Sequence, residues 1–259
     1  MYACNYLENG FLNILRGTAF TAPARCWLAL YLNDPGETGT AGTEVSYPGY
    51  ARKDISFSAP ASMNSGIGIQ NLSEITFATP ADAVGTITHI GILDSQTGGN
   101  MLVRGELSEP LMISANQPPV FLVGDVMFYL TGGISNAYKT RLLNILRGQS
   151  ISGVTPCHSL WNGSPEAGGA ELSGDNYARC RLTFAAPAEQ TSGQLLIQNS
   201  LAASYNRPST EWGVWNWSAI YSAATGGEPI FIRQLPEEIP IKRGYMPTFA
   251  AGAVKLGLN

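Results

Sequence analysis

The chain has 259 residues, enough for one large domain or two ordinary ones, with 44% hydrophobic and only 13% charged residues. That charged share is about half of what soluble domains carry, which favours surfaces that end up packed against partners. A net charge of −4 without a Lys/Arg run excludes the electrostatic footprint of a nucleic-acid binder, and no stretch approaches the ~20 apolar residues that cross a bilayer as a helix.

The first ten residues, MYACNYLENG, lack a basic segment followed by an apolar core. They predict no secretory leader and therefore synthesis in the cytoplasm. Leu7, Phe11, Ile14 and Leu15 then fall at i, i+4, i+7 and i+8, the stripe of a short amphipathic helix. Arg16 closes its last turn, favourable at the negative end of the helix dipole, and Gly17 is the expected stop. Cys26–Leu32 reads as a strand. Asn33–Thr40 (NDPGETGT) is a turn-rich loop whose oxygen-bearing side chains lack the spacing of an EF-hand, so no calcium site is assigned.

Tyr50–Phe57 alternates Arg52, Asp54 and Ser56 with Lys53, Ile55 and Phe57, the pattern of a half-buried antiparallel strand. Gly85–Leu93 and Met101–Leu107 are further strands, with Gly98-Gly99 as the turn between them. Phe121–Leu130 is the last strand before Thr131-Gly132-Gly133.

From there the sequence repeats itself. Leu12-Asn13-Ile14-Leu15-Arg16-Gly17 returns 131 residues later as Leu143-Asn144-Ile145-Leu146-Arg147-Gly148, and Cys26 and Cys157 share that offset. Tyr50-Ala51-Arg52 returns as Tyr177-Ala178-Arg179, Ile69-Gln70-Asn71 as Ile197-Gln198-Asn199, and Thr97-Gly98-Gly99 as Thr225-Gly226-Gly227. Phe121, Gly124 and Val126 return as Phe249, Gly252 and Val254. The offset drifts only between motifs, as expected when loops change length and strands keep register. The fold class is therefore mainly β: two tandem similar β-sandwich or barrel-like domains, 1–131 and 134–259, each opening with a short amphipathic α-helix.

The residues offer little chemistry. His89 lies on a strand and matches Trp217 in the second repeat, so packing explains it better than proton transfer. His158 lacks recognisable co-ligands for a metal. There is no G-x-S-x-G elbow, P-loop or H-E-x-x-H motif, and Glu237-Glu238, between Pro236 and Pro240, reads as a solvated loop. No catalytic, cofactor-binding or metal-binding residue is assigned. The four cysteines, Cys4, Cys26, Cys157 and Cys180, read as free thiols, with a Cys157–Cys180 bridge as the alternative. Trp212, Trp215 and Trp217 form an aromatic cluster that is either a bulkier core or a contact surface. Trp212, Trp215, Tyr47 and Tyr50 are the candidate partner contacts, and a partly exposed Trp212 would support the contact reading.

The order of the LNILRG helix end, Leu30–Gly39 (LYLNDPGETG), Glu44–Phe57 (EVSYPGYARKDISF) and Thr88–Leu102 (THIGILDSQTGGNML) resembles a family of small bacteriophage virion proteins, often labelled tail or tail-fibre proteins. The resemblance covers essentially all of the first repeat. The second departs from it: DPGETG becomes Gly163-Ser164-Pro165-Glu166-Ala167-Gly168, and the strand matching Gly85–Leu93 is Trp-rich. The resemblance implies a virion component made in the host cytoplasm, and together with the duplication it gives as the leading expectation a non-enzymatic structural protein of the tail, neck or baseplate. Its partners would be other virion proteins in a homo-oligomer compatible with a trimer or hexamer. A capsid decoration protein, or a receptor- or glycan-binding module of a tail fibre that contacts host surface glycan, are the alternatives.

Overall fold

The computed structural model describes residues 1–63, 66–189 and 195–258. Asn259, with which the second repeat was expected to end, lies outside them. The architecture is mainly β, built from open antiparallel sheets with two helices and no closed barrel among the described residues.

The helices span Asn5–Ile14 and Asn136–Ile145. In the first, Leu7, Phe11, Leu12, Ile14 and Leu15 are buried, so the apolar stripe read from the sequence is the packed face. Gly17 and Gly148 take φ of 83° and 84°, a left-handed geometry that favours glycine. There the amides of Thr18 and Gln149 bond back to the carbonyls of Asn13 and Asn144 at 3.1 and 3.0 Å. Ser135 starts the second helix, its hydroxyl accepting the Tyr138 amide at 3.1 Å.

Two compact units form. The first gathers Met1–Gly10, Thr21–Leu130 and Leu142–Ile151, the second Phe11–Phe20, Thr131–Arg141 and the chain from Ser152 onward. Each unit thus takes up the end of the helix encoded by the other repeat. Inside the first unit the Cys26 thiol donates to the Leu146 carbonyl, and Arg147 Nε donates to the Phe57 carbonyl. Inside the second, the Val154 amide donates to the Ile14 carbonyl at 3.0 Å.

The main sheet of the first unit runs Tyr2–Ala3, Met101–Ile113, Gly85–Leu93, Cys26–Tyr31 and Lys53–Ile55 in spatial order. A three-stranded sheet joins Met127–Leu130, Gly66–Gln70 and Ala61–Met63. The second unit repeats the plan, with Ala170–Glu171, Cys157–Asn162, Gly213–Tyr221 and Pro229–Ile241 in order and Cys180–Arg181 also pairing with Cys157–Asn162. The long hairpins match in their irregularities. Register shifts fall between Ile87 and His89 and between Ile92 and Leu93 in one, and between Trp215 and Trp217 and between Ile220 and Tyr221 in the other. A bulge kept in place in both units leaves the flanking side chains on the same faces.

The structure adjusts several sequence readings. Met101–Ile113 is longer than the strand expected there, because its far half pairs with Gly85–Ile87. Phe121–Leu130 is not one strand: a turn at 122–125 splits it into Val120–Phe121 and Met127–Leu130. The Cys26/Cys157 match is a coincidence of numbering. Trp27 pairs with Leu93 and Asp54, as Cys157 pairs with Tyr221 and Arg181, so Cys157 occupies the position of Trp27 and His158 that of Leu28. All four cysteines are free and buried, so the Cys157–Cys180 bridge is not formed.

Candidate functional site

The residues that recur most faithfully between the repeats build two internal networks. In the first unit Arg52 makes a two-pronged bond to Glu44, Nε to Oε1 at 2.9 Å and Nη2 to Oε2 at 2.7 Å. Its Nη1 donates to the carbonyls of Ser95 and Gly98 in the Thr97-Gly98-Gly99 turn. Tyr50 completes the clamp: its hydroxyl donates to Glu44 and accepts the Leu30 amide. The second unit reproduces every bond: Arg179 to Glu171 at 2.9 and 2.8 Å, to the carbonyls of Ala223 and Gly226, and Tyr177 between Glu171 and the Leu160 amide. Arg179 additionally covers the Tyr221 ring at 3.6 Å. Although Arg52 and Arg179 fall on the polar parity of the alternating segments, just before Lys53–Ile55 and Cys180–Arg181, their side chains are only 11% and 10% exposed. A planar guanidinium matches both a carboxylate and converging carbonyls, which lysine cannot do. Burial pushes the Tyr50 and Tyr177 phenols far above their ordinary range. The clamp therefore ties its carboxylate to a turn, and in the first unit Glu44, Tyr50 and Arg52 line a cavity of about 490 Å³.

The second network centres on Asn71 and Asn199, both buried. Asn71 Nδ2 donates to the carbonyls of Ser73 and Leu122, and its Oδ1 accepts the amides of Gly124 and Val126. Asn199 donates to the carbonyls of Leu201 and Ala250 and accepts the Val254 amide. One amide side chain thereby replaces strand pairing across the turn that interrupts the expected Phe121–Leu130 strand.

Of the four candidate partner contacts, Trp212 and Trp215 are buried and Tyr47 and Tyr50 are half-buried. Trp212 is 4% exposed and Trp215 8%, so the support that a partly exposed Trp212 would lend to a contact surface is not found. Trp212 Nε1 donates to the Asp175 carbonyl, and its ring meets Tyr177 edge-on at 5.1 Å. In the first unit Tyr47 does the corresponding work: its hydroxyl donates to the Ala78 carbonyl and its ring packs on Tyr50 at 5.5 Å. The sequence positions explain the exchange. Tyr47 corresponds to Gly174, and Val84 to Trp212. A Cβ on Gly174 would stand 2.6 Å from Trp212 Cδ1. A large side chain supplied by the segment at Tyr47 in the first unit is supplied by the segment at Trp212 in the second and fills the corresponding space. Trp215 packs against His158 and Phe249, and its buried Nε1 finds no partner among the described residues. Trp217 is half-buried.

His158, His89 and the loop carboxylates are each engaged by neighbouring groups of the fold. His158 is 3% exposed, and burial lowers its pKa to about 3. It borders a cavity of about 170 Å³ lined by Phe231, Phe249 and Leu256, with Arg233 and Lys255 as the other ionisable groups. His89 is half-buried, its Nδ1 against the hydroxyl of Thr88 at 2.9 Å. In the Asn33–Thr40 loop both carboxylates are taken: Arg104 pairs with Asp34 at 2.9 Å and with Glu37. Among the described residues no group of three His, Cys, Asp or Glu side chains converges as metal ligands would, and no helix is long and apolar enough to cross a membrane. Sequence reading missed Glu44 and Glu171. The signal was present, since Glu, Tyr and Arg recur at i, i+6 and i+8 in both repeats.

A family model described as podophage GP4 fiber I protein gp80 matches the chain twice, over residues 2–128 and again over 133–257. No curated protein matches.

Proposed function

From a chain that belongs to the podophage GP4 fiber I protein gp80 family, and carries that family's unit twice in tandem, we propose a non-enzymatic structural component of the virion, in the tail-fibre apparatus. The observation that carries the reading is the double match, covering nearly the whole chain. The networks agree with it. What two diverged repeats both keep is a clamp and an asparagine staple that hold strands to turns. Other virion proteins are the partners, and the virion is the site of action after synthesis in the host cytoplasm.

Duplication has a geometric use in such a particle. Three chains present six related units, which suits attachment to a sixfold tail. The test is quantitative mass spectrometry of purified particles, calibrated against the major capsid protein. A trimeric fibre gives a low copy number in multiples of three. Absence from purified particles refutes the virion assignment, and hundreds of copies would replace the fibre by a capsid decoration.

A further inference from the structure

One pair of loops keeps its backbone in both units while its side chains change character. In the first unit the Asn116 amide donates to the Pro80 carbonyl, Gln117 to Ser114, and Phe77 to Pro119. In the second, Gly244 donates to Pro208, Tyr245 to Lys242, and Tyr205 to Pro247. Each bond recurs at an offset of 128 residues. The turn residue has positive φ in both, 61° at Asn116 and 84° at Gly244. The scaffold is thus the same, and the side chains it carries can be compared position by position.

Thr79, Ser114, Ala115 and Gln117 of the first unit become Arg207, Lys242, Arg243 and Tyr245 in the second. Four neutral side chains give way to three cations and an aromatic ring. All four are exposed, Tyr245 by 47%, and Met246 beside it by 41%. None of the three cations joins any of the six ion pairs among the described residues. The acidic residues nearest in sequence to these cations are Glu211, four residues after Arg207, and Glu238, four residues before Lys242, while Asp175 accepts from Ser209. The bond from Gly244 to Pro208 places Arg207 beside the turn that carries Lys242, Arg243 and Tyr245. In a chain with only 15 Lys and Arg and a net charge of −4, three such cations and an exposed ring on adjoining loops are a local excess of positive charge.

We infer that this loop pair of the second unit is a contact site for an anionic saccharide. Guanidinium and ammonium groups recognise carboxylate or phosphate. A half-exposed tyrosine offers a flat apolar face with a polar rim, suited to the ring of a sugar. Tyrosine, arginine and methionine also anchor protein interfaces, but those engage about 20–30 residues a side, whereas the change of character here is confined to four positions on two loops, the scale of one or two sugar rings. The inference rests on the fibre reading above and gives that reading a ligand class.

The test uses the full chain and four immobilised probes: polygalacturonate (carboxylate), phosphomannan (phosphate), neutral dextran and poly-glutamate. The chain should bind one of the two anionic saccharides, with affinity falling as salt rises, and should ignore dextran. Which saccharide binds tells carboxylate from phosphate. Replacing Arg207→Thr, Lys242→Ser, Arg243→Ala and Tyr245→Gln together installs residues that the same backbone already carries in the first unit. Affinity should drop at least tenfold with unchanged thermal unfolding. The converse set, Thr79→Arg, Ser114→Lys, Ala115→Arg and Gln117→Tyr, should raise the binding capacity towards two sites per chain. Failure to bind either anionic saccharide, binding that survives the fourfold substitution, or a converse set that adds no capacity overturns the inference. So does poly-glutamate binding as tightly as the saccharides, which would assign the patch to an acidic protein. Particle composition separates the two claims: a fourfold variant found in particles at normal copy number leaves the fibre reading standing whatever the saccharides show.

Discussion

Acid should loosen the second unit in a way that can be traced to one ring. His158 stands where the first unit has Leu28, and it lies edge-on to Trp215 and Tyr205 and 4.6 Å from Phe249. The Tyr205 hydroxyl donates its only proton to the His158 carbonyl at 2.6 Å. The 2.8 Å contact with Nδ1 is therefore an Nδ1–H donating to the phenol oxygen, which leaves Nε2 to accept any further proton. Burial holds that protonation down to about pH 3, against 6.5 for a free histidine. The folded pKa lies below the unfolded one, so the unfolded chain takes up the proton first. The stabilising effect is complete above pH 6.5 and is lost as pH falls from there towards 3. The slope approaches roughly 1 kcal/mol per pH unit once the pH is below 6.5, so on the order of 2 kcal/mol is lost between pH 6.5 and 4.5. His158→Leu, which installs the first unit's residue, should remove that slope. Urea unfolding followed by tryptophan fluorescence at pH 7.5, 6.5, 5.5 and 4.5 reads it directly. Ionisations shared by both proteins cancel in the difference. Stability curves for the two that run parallel within about 0.5 kcal/mol over this range would refute the reasoning.

The clamp should tolerate no lysine: Arg52→Lys and Arg179→Lys should each lower unfolding free energy by about 2–3 kcal/mol. Arg179→Lys should cost the more, because it also gives up the guanidinium over Tyr221. Losses below about 0.5 kcal/mol in urea titrations would show the clamp to be incidental. Asn71→Leu leaves two carbonyls and two amides without their partner and should cost at least about 3 kcal/mol. Asn199→Leu should do the same in the second unit, and wild-type melting temperatures would contradict both. Burial pushes the Cys4 and Cys26 thiols up to about 12. Iodoacetamide at pH 8 should therefore leave the native chain unmodified over an hour and alkylate four cysteines in urea, as read by intact mass. Prompt labelling of the native chain would show the thiols to be accessible.

Much of the fold was written in periodicities. The helices, their glycine stops, the inward parity of Tyr50–Phe57 and the turn between the long strands each follow from a few neighbouring residues, because helix and strand spacing are local properties of the backbone. The duplication was legible for the same reason, as local motifs were copied whole. Trp212 and Trp215 were not legible. An exposed and a buried tryptophan look alike in a sequence, and only the absence of a side chain at Gly174 shows that Trp212 fills the place that Tyr47 holds in the first unit. The basic loops escaped notice because Arg207 and Lys242 are 35 residues apart and meet only through the Gly244–Pro208 bond.

The sequence by itself determined that the chain is a doubled β-rich unit with a helix at the head of each copy. Hydrophobic spacing and glycine placement act over a few residues and need no partner to be read. Tertiary structure alone decided which strand neighbours which, and so that His158 answers to Leu28 and not to Trp27. It alone decided that Phe11–Phe20 and Leu142–Ile151 change units. Those outcomes depend on which distant surfaces bury each other best, a comparison between segments that no single stretch of chain contains.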